Sequence, residues 1–320
     1  SSIYYILRNH YIMAIKLGSS DISKVYLGAN EVSKIYLGVT EIYSAVSLLL
    51  DTYTGAGFAY DFRALRAAYS GNNIRARESS GSTEQNIGFT AGVLDNSSLL
   101  TFTGSNDGLV PIIYDQSTNG NNFTQTTASN QLKIVDAGSL ITSNSLAATQ
   151  GSSSTGGQTS SIAFSGMSDI WFFDVVDIVS SGNNQFLYES SPNAVTTNGG
   201  IIIYLTGGGQ LAVGNKMASG FQQNQYIVGT GRKLISIRIR GGVNTSLFSE
   251  VYVNGVQISI DSAGGSGTSS FTDQILYVGA RLGTSIGFLG KRQASIFYPS
   301  DQSANRVGIE TNLNAYYGIY

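Results

Sequence analysis

The sequence predicts an all-β protein: a β-sandwich with a C-terminal helix, preceded by a small N-terminal β-repeat module. Three observations carry this reading. Short β-branched and aromatic runs recur along the chain, separated by clusters of Gly, Ser, Thr and Asn. The 320 residues include 39 Gly and 19 Tyr but only three Pro, the composition of strands joined by tight turns. Residues 16–46 repeat themselves in ten-residue steps, with Gly at one fixed phase.

In that repeat Leu17-Gly18, Leu27-Gly28 and Leu37-Gly38 recur, each followed by an acid (Asp21, Glu31, Glu41) and a β-branched residue (Ile22, Val32, Ile42). Lys24 and Lys34, with Tyr26 and Tyr36, complete the first two copies, and the third decays at Ser44 and Val46. Only Gly takes positive φ without steric cost, so each copy reads as a short strand and a turn. About 30 residues of such strands cannot enclose a core and need a partner surface from this chain, a sister copy or a larger assembly. The module, residues 1–50, is therefore read as an attachment and oligomerisation segment, with a trimer favoured. Residues 1–12 precede Met13-Ala14 and read as an extension, either an upstream reading-frame choice or an extra strand.

The apolar run Ala45 to Leu50 ends at Asp51, where the second domain, 51–320, is expected to begin. Tyr60, Leu65 and Tyr69 stand at near-helical spacing, Ile74 to Glu78 alternates as a strand, and one short helix before Phe102 has Asp95 available as its cap. Strands follow at Leu109–Tyr114, Leu132–Val135, Ile170–Val179, Phe186–Tyr188, Ile201–Leu205, Leu234–Arg240, Glu250–Val253, Leu276–Ala280 and Ala294–Phe297. Asn254-Gly255 between Val253 and Val256 signals a type I′ hairpin. Strands at this density imply a sandwich. Val307, Ile309, Leu313 and Tyr316 predict one amphipathic terminal helix stopped by Gly318. The stretch Gln150 to Gly157 reads as a loop without an anchor.

Composition excludes several functions. Only 12% of residues are charged and the net charge is −2, so no basic field for nucleic acid or an anionic membrane exists. With no cysteine and a single histidine, His10, thiol chemistry, a multi-His metal site and a partnered catalytic triad have no material, and no metal or cofactor is expected. No apolar run is long enough to predict a membrane-spanning helix.

The repeat wording Lys24 to Gly28 and Glu31 to Gly38 resembles the N-terminal leader of many bacteriophage virion proteins. That resemblance implies a particle-surface protein, such as a head fibre, capsid decoration or tail-associated component, with other virion proteins as partners. Residues 58–136 resemble the opening of the catalytic domain of fungal-type α-L-arabinofuranosidase B, through Ala59-Tyr60, Leu65-Arg66, Tyr69-Ser70-Gly71, Ile74-Arg75, Tyr114-Asp115-Gln116-Ser117 and Asn119-Gly120-Asn121. The resemblance resumes at Ile203-Tyr204-Leu205 and Phe297 to Asp301. It implies a concanavalin-like sandwich of the jelly-roll kind.

Glycoside hydrolysis uses two carboxyl groups, roughly 5 Å apart in retaining enzymes. The family's nucleophile position falls at Ile201 and its acid position at Arg281, and neither neighbourhood offers a substitute acid. Asp174 and Asp177 share one strand at odd spacing and face opposite ways. Glu189 is the best lone acid, read as a solvated turn residue or an acceptor for a sugar hydroxyl. Asp115 reads as a loop fixer in preference to a calcium ligand, and Arg75 with Arg77 as partners of Glu78 or Glu84. The expected function is therefore a non-enzymatic virion protein whose lectin-like sandwich displays a glycan-binding surface, with Tyr188, Glu189, Tyr204 and Arg281 as its ligand residues. An active arabinofuranosidase-type hydrolase and a non-viral adhesin remain the alternatives.

Overall fold

A computed structural model describes residues 3–8, 11–17, 20–22, 26–27, 30–31, 34–37, 40–44, 48–190, 196–217, 220–265 and 270–320. The chain divides into two compact units, residues 1–48 and 49–320. In the first, Ile3–Arg8, Tyr11–Leu17 and Ser20–Ile22 form an antiparallel sheet, Tyr26–Leu27 pairs with Asn30–Glu31, and Lys34–Leu37 pairs with Thr40–Ser44. Leu17 sits opposite Ser20, Leu27 opposite Asn30 and Leu37 opposite Thr40, so each copy of the repeat closes one antiparallel pair at the same phase. The turn glycines Gly18, Gly28 and Gly38, and His10, lie outside the described residues.

The second unit is a β-sandwich with every ladder between named strands antiparallel. One sheet runs Phe58–Asp61, Lys291–Tyr298, Asp169–Ile178, Gly231–Arg240, Ser249–Val253 and Val256–Ile258. The other runs Phe123–Thr124, Gly157–Ile162, Gln274–Val278, Gln185–Ser190, Ile201–Leu205, Gln210–Met217, Gly220–Ile227 and Ser262–Gly264. Gly108–Ile113 and Leu132–Asp136 bridge the two at one side.

Asp169–Ile178 shows why the sequence reads as a continuous apolar run there. Ile170, Phe172, Val176 and Ile178 face the other sheet, while Trp171, Phe173 and Val175 face outward, onto the terminal helix Arg306–Tyr317 and the short helix Leu49–Thr52. A strand covered on both sides has no polar face to alternate. The terminal helix docks through Ile309, Leu313 and Tyr317, and the Tyr317 hydroxyl donates to Asp61 Oδ1 at 2.6 Å. Gly318 ends it in the left-handed conformation at φ 58°. Val307 departs from the expected stripe and is 60% exposed, because it lies in the first turn, one position off the docked face.

The predicted Asp95 cap is present: Oδ1 accepts the Ser98 N–H at 3.0 Å and opens helix Asn96–Thr103. The Asn254-Gly255 hairpin has both residues at positive φ, 53° and 81°, with Val253 paired to Val256. Two expectations fail. The near-helical spacing of Tyr60, Leu65 and Tyr69 forms no helix: Tyr60 lies in strand Phe58–Asp61, paired with Lys291–Tyr298, and Leu65 and Tyr69 lie in the loop that follows. The stretch 150–157 is anchored: Gln150 pairs with Lys133 and Lys291, and Cβ atoms on Gly151 or Gly157 would strike the Phe288 carbonyl or the Phe123 ring. Its glycines are there for close packing.

Candidate functional site

The helices cover the outer face of the first sheet, and the corresponding face of the second carries a small aromatic cluster. Its origin is a bulge in Gln185–Ser190. Phe186 sits opposite Tyr204 but Tyr188 opposite Ile203, so one extra residue is accommodated between them. Phe186 and Glu189, three apart, therefore emerge on one face, where a regular strand would separate them. Phe186 stacks on Tyr204 with ring centres 5.1 Å apart and 13° between planes, and Ile202 and Phe221 pack beside them. Tyr204 donates its hydroxyl to Gln223 Oε1 at 3.1 Å. Gly214 leaves room for the Phe221 ring, since a Cβ there would lie 2.4 Å from it.

Glu189 borders this cluster and is only 1% exposed. The expectation of a solvated turn carboxylate is corrected by its place inside a central strand. Its Oε2 accepts the Leu282 N–H at 3.0 Å, and its Oε1 lies 3.5 Å from Arg281 Nε. The Arg281 guanidinium carbon is 5.8 Å from the Phe186 ring centre. The loop that carries Arg281 is held to the strand a second time, by Phe186 N–H donating to the Ile286 carbonyl at 3.0 Å, and within itself by Arg281 N–H donating to Ser285 O at 2.7 Å. Leu282 and Ile286 occupy positive φ, 52° and 50°. For a β-branched residue that is rare, and the surrounding contacts hold the loop in it.

Three of the four predicted ligand residues, Glu189, Tyr204 and Arg281, thus come together. Tyr188 does not join them: it points between the sheets and donates to Asp174 Oδ1 at 2.6 Å. Ser295 Oγ donates to the same oxygen at 2.6 Å, and Arg292 Nη1 lies 3.3 Å from it. Burial pushes the Asp174 carboxyl up, against the pull of Arg292, and pushes the Tyr188 hydroxyl up as well. This network ties the sheets together away from solvent. Asp177 faces the other way, accepting from Ser143 Oγ at 3.2 Å, as the odd spacing predicts.

Ile201 is fully buried in the main core. Across strands 157–162, 185–190, 201–205, 210–217, 220–227, 262–264 and 274–278 and loop 279–287, Glu189 is the sole acid. Among the described residues no group of three or more His, Cys, Asp or Glu is placed to hold a metal ion. Asp115 fixes its loop, with Oδ1 accepting the N–H groups of Ala59 at 2.9 Å and Ser117 at 2.8 Å, and Oδ2 accepting the Ser117 hydroxyl and the Asn121 N–H. Gln116 bonds Leu65, Asp61 and Arg63 backbone groups, so the Tyr-Asp-Gln-Ser block is structural. Arg75 lies 3.7 Å from Glu84 and Arg77 donates to Ser82 Oγ at 2.6 Å. A separate open groove of about 770 Å³, lined in part by Gln131, Lys133, Leu140, Gln150 and Lys291, has no aromatic ring among the described residues that line it.

Sequence reasoning missed Phe186, because the bulge that turns it beside Glu189 leaves no local signal. It missed Phe221 and Gln223 because the strand Gly220–Ile227 is rich in Gln and Asn and does not read as one.

Fold and site together define a concanavalin-like β-sandwich with an outer sheet face that carries an aromatic stack beside a buried glutamate paired with a partly exposed arginine. By structure it is similar to a GH54 α-L-arabinofuranosidase soaked with a cyclic sulfate inhibitor, at TM-score 0.60 and 18% identity over 83% of this chain and 64% of that one. It is equally similar to an arabinofuranosidase complexed with arabinofuranosyl-α-1,2-xylobiose, at TM-score 0.59 and 18% identity over the same shares. The chain therefore spans less than two thirds of the length of these proteins. Compared by sequence, it matches no protein-family model and no curated protein.

Proposed function

We propose that this protein is a non-catalytic, lectin-like component of a phage particle, whose sandwich presents a glycan-binding face and whose N-terminal repeat attaches it to the particle, self-associating as a trimer. One observation carries the non-catalytic part. The open sheet holds a single carboxylate, and that carboxylate is buried, bonded to a backbone N–H and next to an arginine. General acid catalysis with a nucleophile or base requires two carboxyl groups across the bond, and the positions where the arabinofuranosidase resemblance would put them hold Ile201 and Arg281. Tyr204, partly exposed and stacked on the buried Phe186, supplies a ring suited to a sugar.

The attachment role rests on the repeat. Its three strand pairs recur in one phase, and its wording resembles phage leaders. The test is threefold. The full chain should retain saccharides on a glycan array, release no product from 4-nitrophenyl α-L-arabinofuranoside, and be found by peptide mass spectrometry in purified particles. Turnover abolished by Glu189→Gln would establish the hydrolase instead, and absence from particles would favour the adhesin. Size-exclusion chromatography with light scattering should show the full chain as an oligomer and residues 49–320 as a monomer.

A further inference from the structure

We infer that the open face recognises a glycan bearing a carboxylate, bound through the Nη edge of Arg281. The inference rests on the glycan-binding reading and adds the chemical class of the ligand. Arg281 presents one edge to the protein: its Nε faces Glu189 Oε1 at 3.5 Å. Among the described residues nothing hydrogen-bonds to its two Nη nitrogens. A guanidinium held by one edge leaves a planar two-nitrogen fork, the geometry that takes a carboxylate through two parallel hydrogen bonds.

Charge points the same way. The whole chain is slightly acidic, at −2, yet this sheet and its loop carry Arg281 and Lys216 against the single acid Glu189. Gly214 faces Ile202 across one ladder, and Lys216, two residues on, shares that face and sits opposite Phe221. Glu189 is 1% exposed while the Arg281 side chain is 31% exposed, so an arriving ligand meets the cation and not its counter-ion. The fork is also preorganised. Glu189 holds the guanidinium and the Leu282 N–H together, and the loop cannot relax without leaving Leu282 and Ile286 at positive φ unsupported. Beside the fork, the partly exposed Tyr204 ring, backed by the buried Phe186, is the aromatic side chain within reach of the sugar that carries the acid.

The test uses the full chain and paired probes: 3′-sialyllactose against lactose, and a hexamer of galacturonic acid against the same hexamer with its carboxyls reduced to alcohols. Titration calorimetry should show binding to at least one acidic probe at least about 10-fold tighter than to its neutral partner, since a hydrogen-bonded charge contact discriminates by about 10- to 100-fold. The preference should weaken from 50 mM to 500 mM NaCl, as a partly exposed ion pair does. Arg281→Lys, which keeps a cation beside Glu189, should lose most of the preference because an ammonium cannot fork. The double variant Glu189→Gln/Arg281→Gln leaves no buried charge unpaired and should bind acidic and neutral probes alike. Equal affinity of the parent for both members of each pair would overturn the carboxylate inference and leave glycan binding standing. No binding to any saccharide, on these probes or on the array, would overturn both. Binding of acidic probes unchanged in both variants would place the site elsewhere and overturn the role of Arg281.

Discussion

Replacing Glu189 by Gln separates a residue that positions the loop from one that performs chemistry. The substitution keeps an oxygen for the Leu282 N–H but turns a charge-assisted hydrogen bond of 3.0 Å into a neutral one. That change costs about 1 kcal/mol. It also removes the ion pair to Arg281, whose side chain is 31% exposed, so solvent screening limits that loss to about 0.5 kcal/mol. The sum, about 1.5 kcal/mol, corresponds to a fall in Tm of about 3–6 °C for a domain of this size. Differential scanning calorimetry of the full chain reads it directly, and hydrogen exchange at Leu282 should show the amide less protected. A variant that melts within a degree of the parent, with Leu282 equally protected, would refute the claim that Glu189 clamps this loop.

Three further outcomes follow from the packing. Leu313→Ala, in the docked face of the terminal helix, should cost about 2–5 kcal/mol, whereas Val307→Ala, at 60% exposure, should stay within about 0.5 kcal/mol, both read by urea unfolding. Gly214→Ala should displace the Phe221 ring and weaken saccharide binding on the outer face by up to about 10-fold while the sandwich still folds, an aromatic contact being worth about 0.5–1.5 kcal/mol; unchanged affinity would remove that ring from the site. Burial raises the carboxyls of Asp61, Asp174 and Glu310 above their ordinary values of 3.8, 3.8 and 4.5. The folded state then binds these protons more readily than the unfolded chain, so their contribution is full below the ordinary values and is lost as pH rises through the folded ones. Tm should rise as pH falls from 7 toward the ordinary carboxyl range. Below that, Asp107, lowered by Lys133 and by a backbone N–H, and Glu78, lowered by backbone N–H groups, protonate and reverse the trend. A Tm that falls steadily from pH 7 would refute the assignment.

Local chemistry was legible wherever a short pattern suffices. Asp95 as a helix cap, Asn254-Gly255 as a hairpin, Gly318 as a helix stop and the strand expected at Ile170–Val179, found at Asp169–Ile178, all depend on neighbours within a few residues. The same holds for the phase of the ten-residue repeat, since a Leu before each Gly fixes which residues pair. The sequence by itself also determined that the neighbourhoods of Ile201 and Arg281 carry no acid, while which strands join Glu189 in one sheet came from the structure.

Tertiary structure decided what depends on distant partners. Phe58–Asp61 is a strand because Lys291–Tyr298, more than 200 residues away, completes its ladder. Gln150 to Gly157 is fixed because Phe123, Ala280 and Phe288 crowd its glycines. The site itself was decided by one bulge. In a regular strand Tyr188 and Phe186 would share a face and Glu189 would oppose them; the extra residue sends Tyr188 to Asp174 in the interior and brings Glu189 round to Phe186, Tyr204 and Arg281. Alternation along a strand is a property of its own residues, but its register is set by the neighbour it pairs with, and that is why the side chains were readable and their grouping was not.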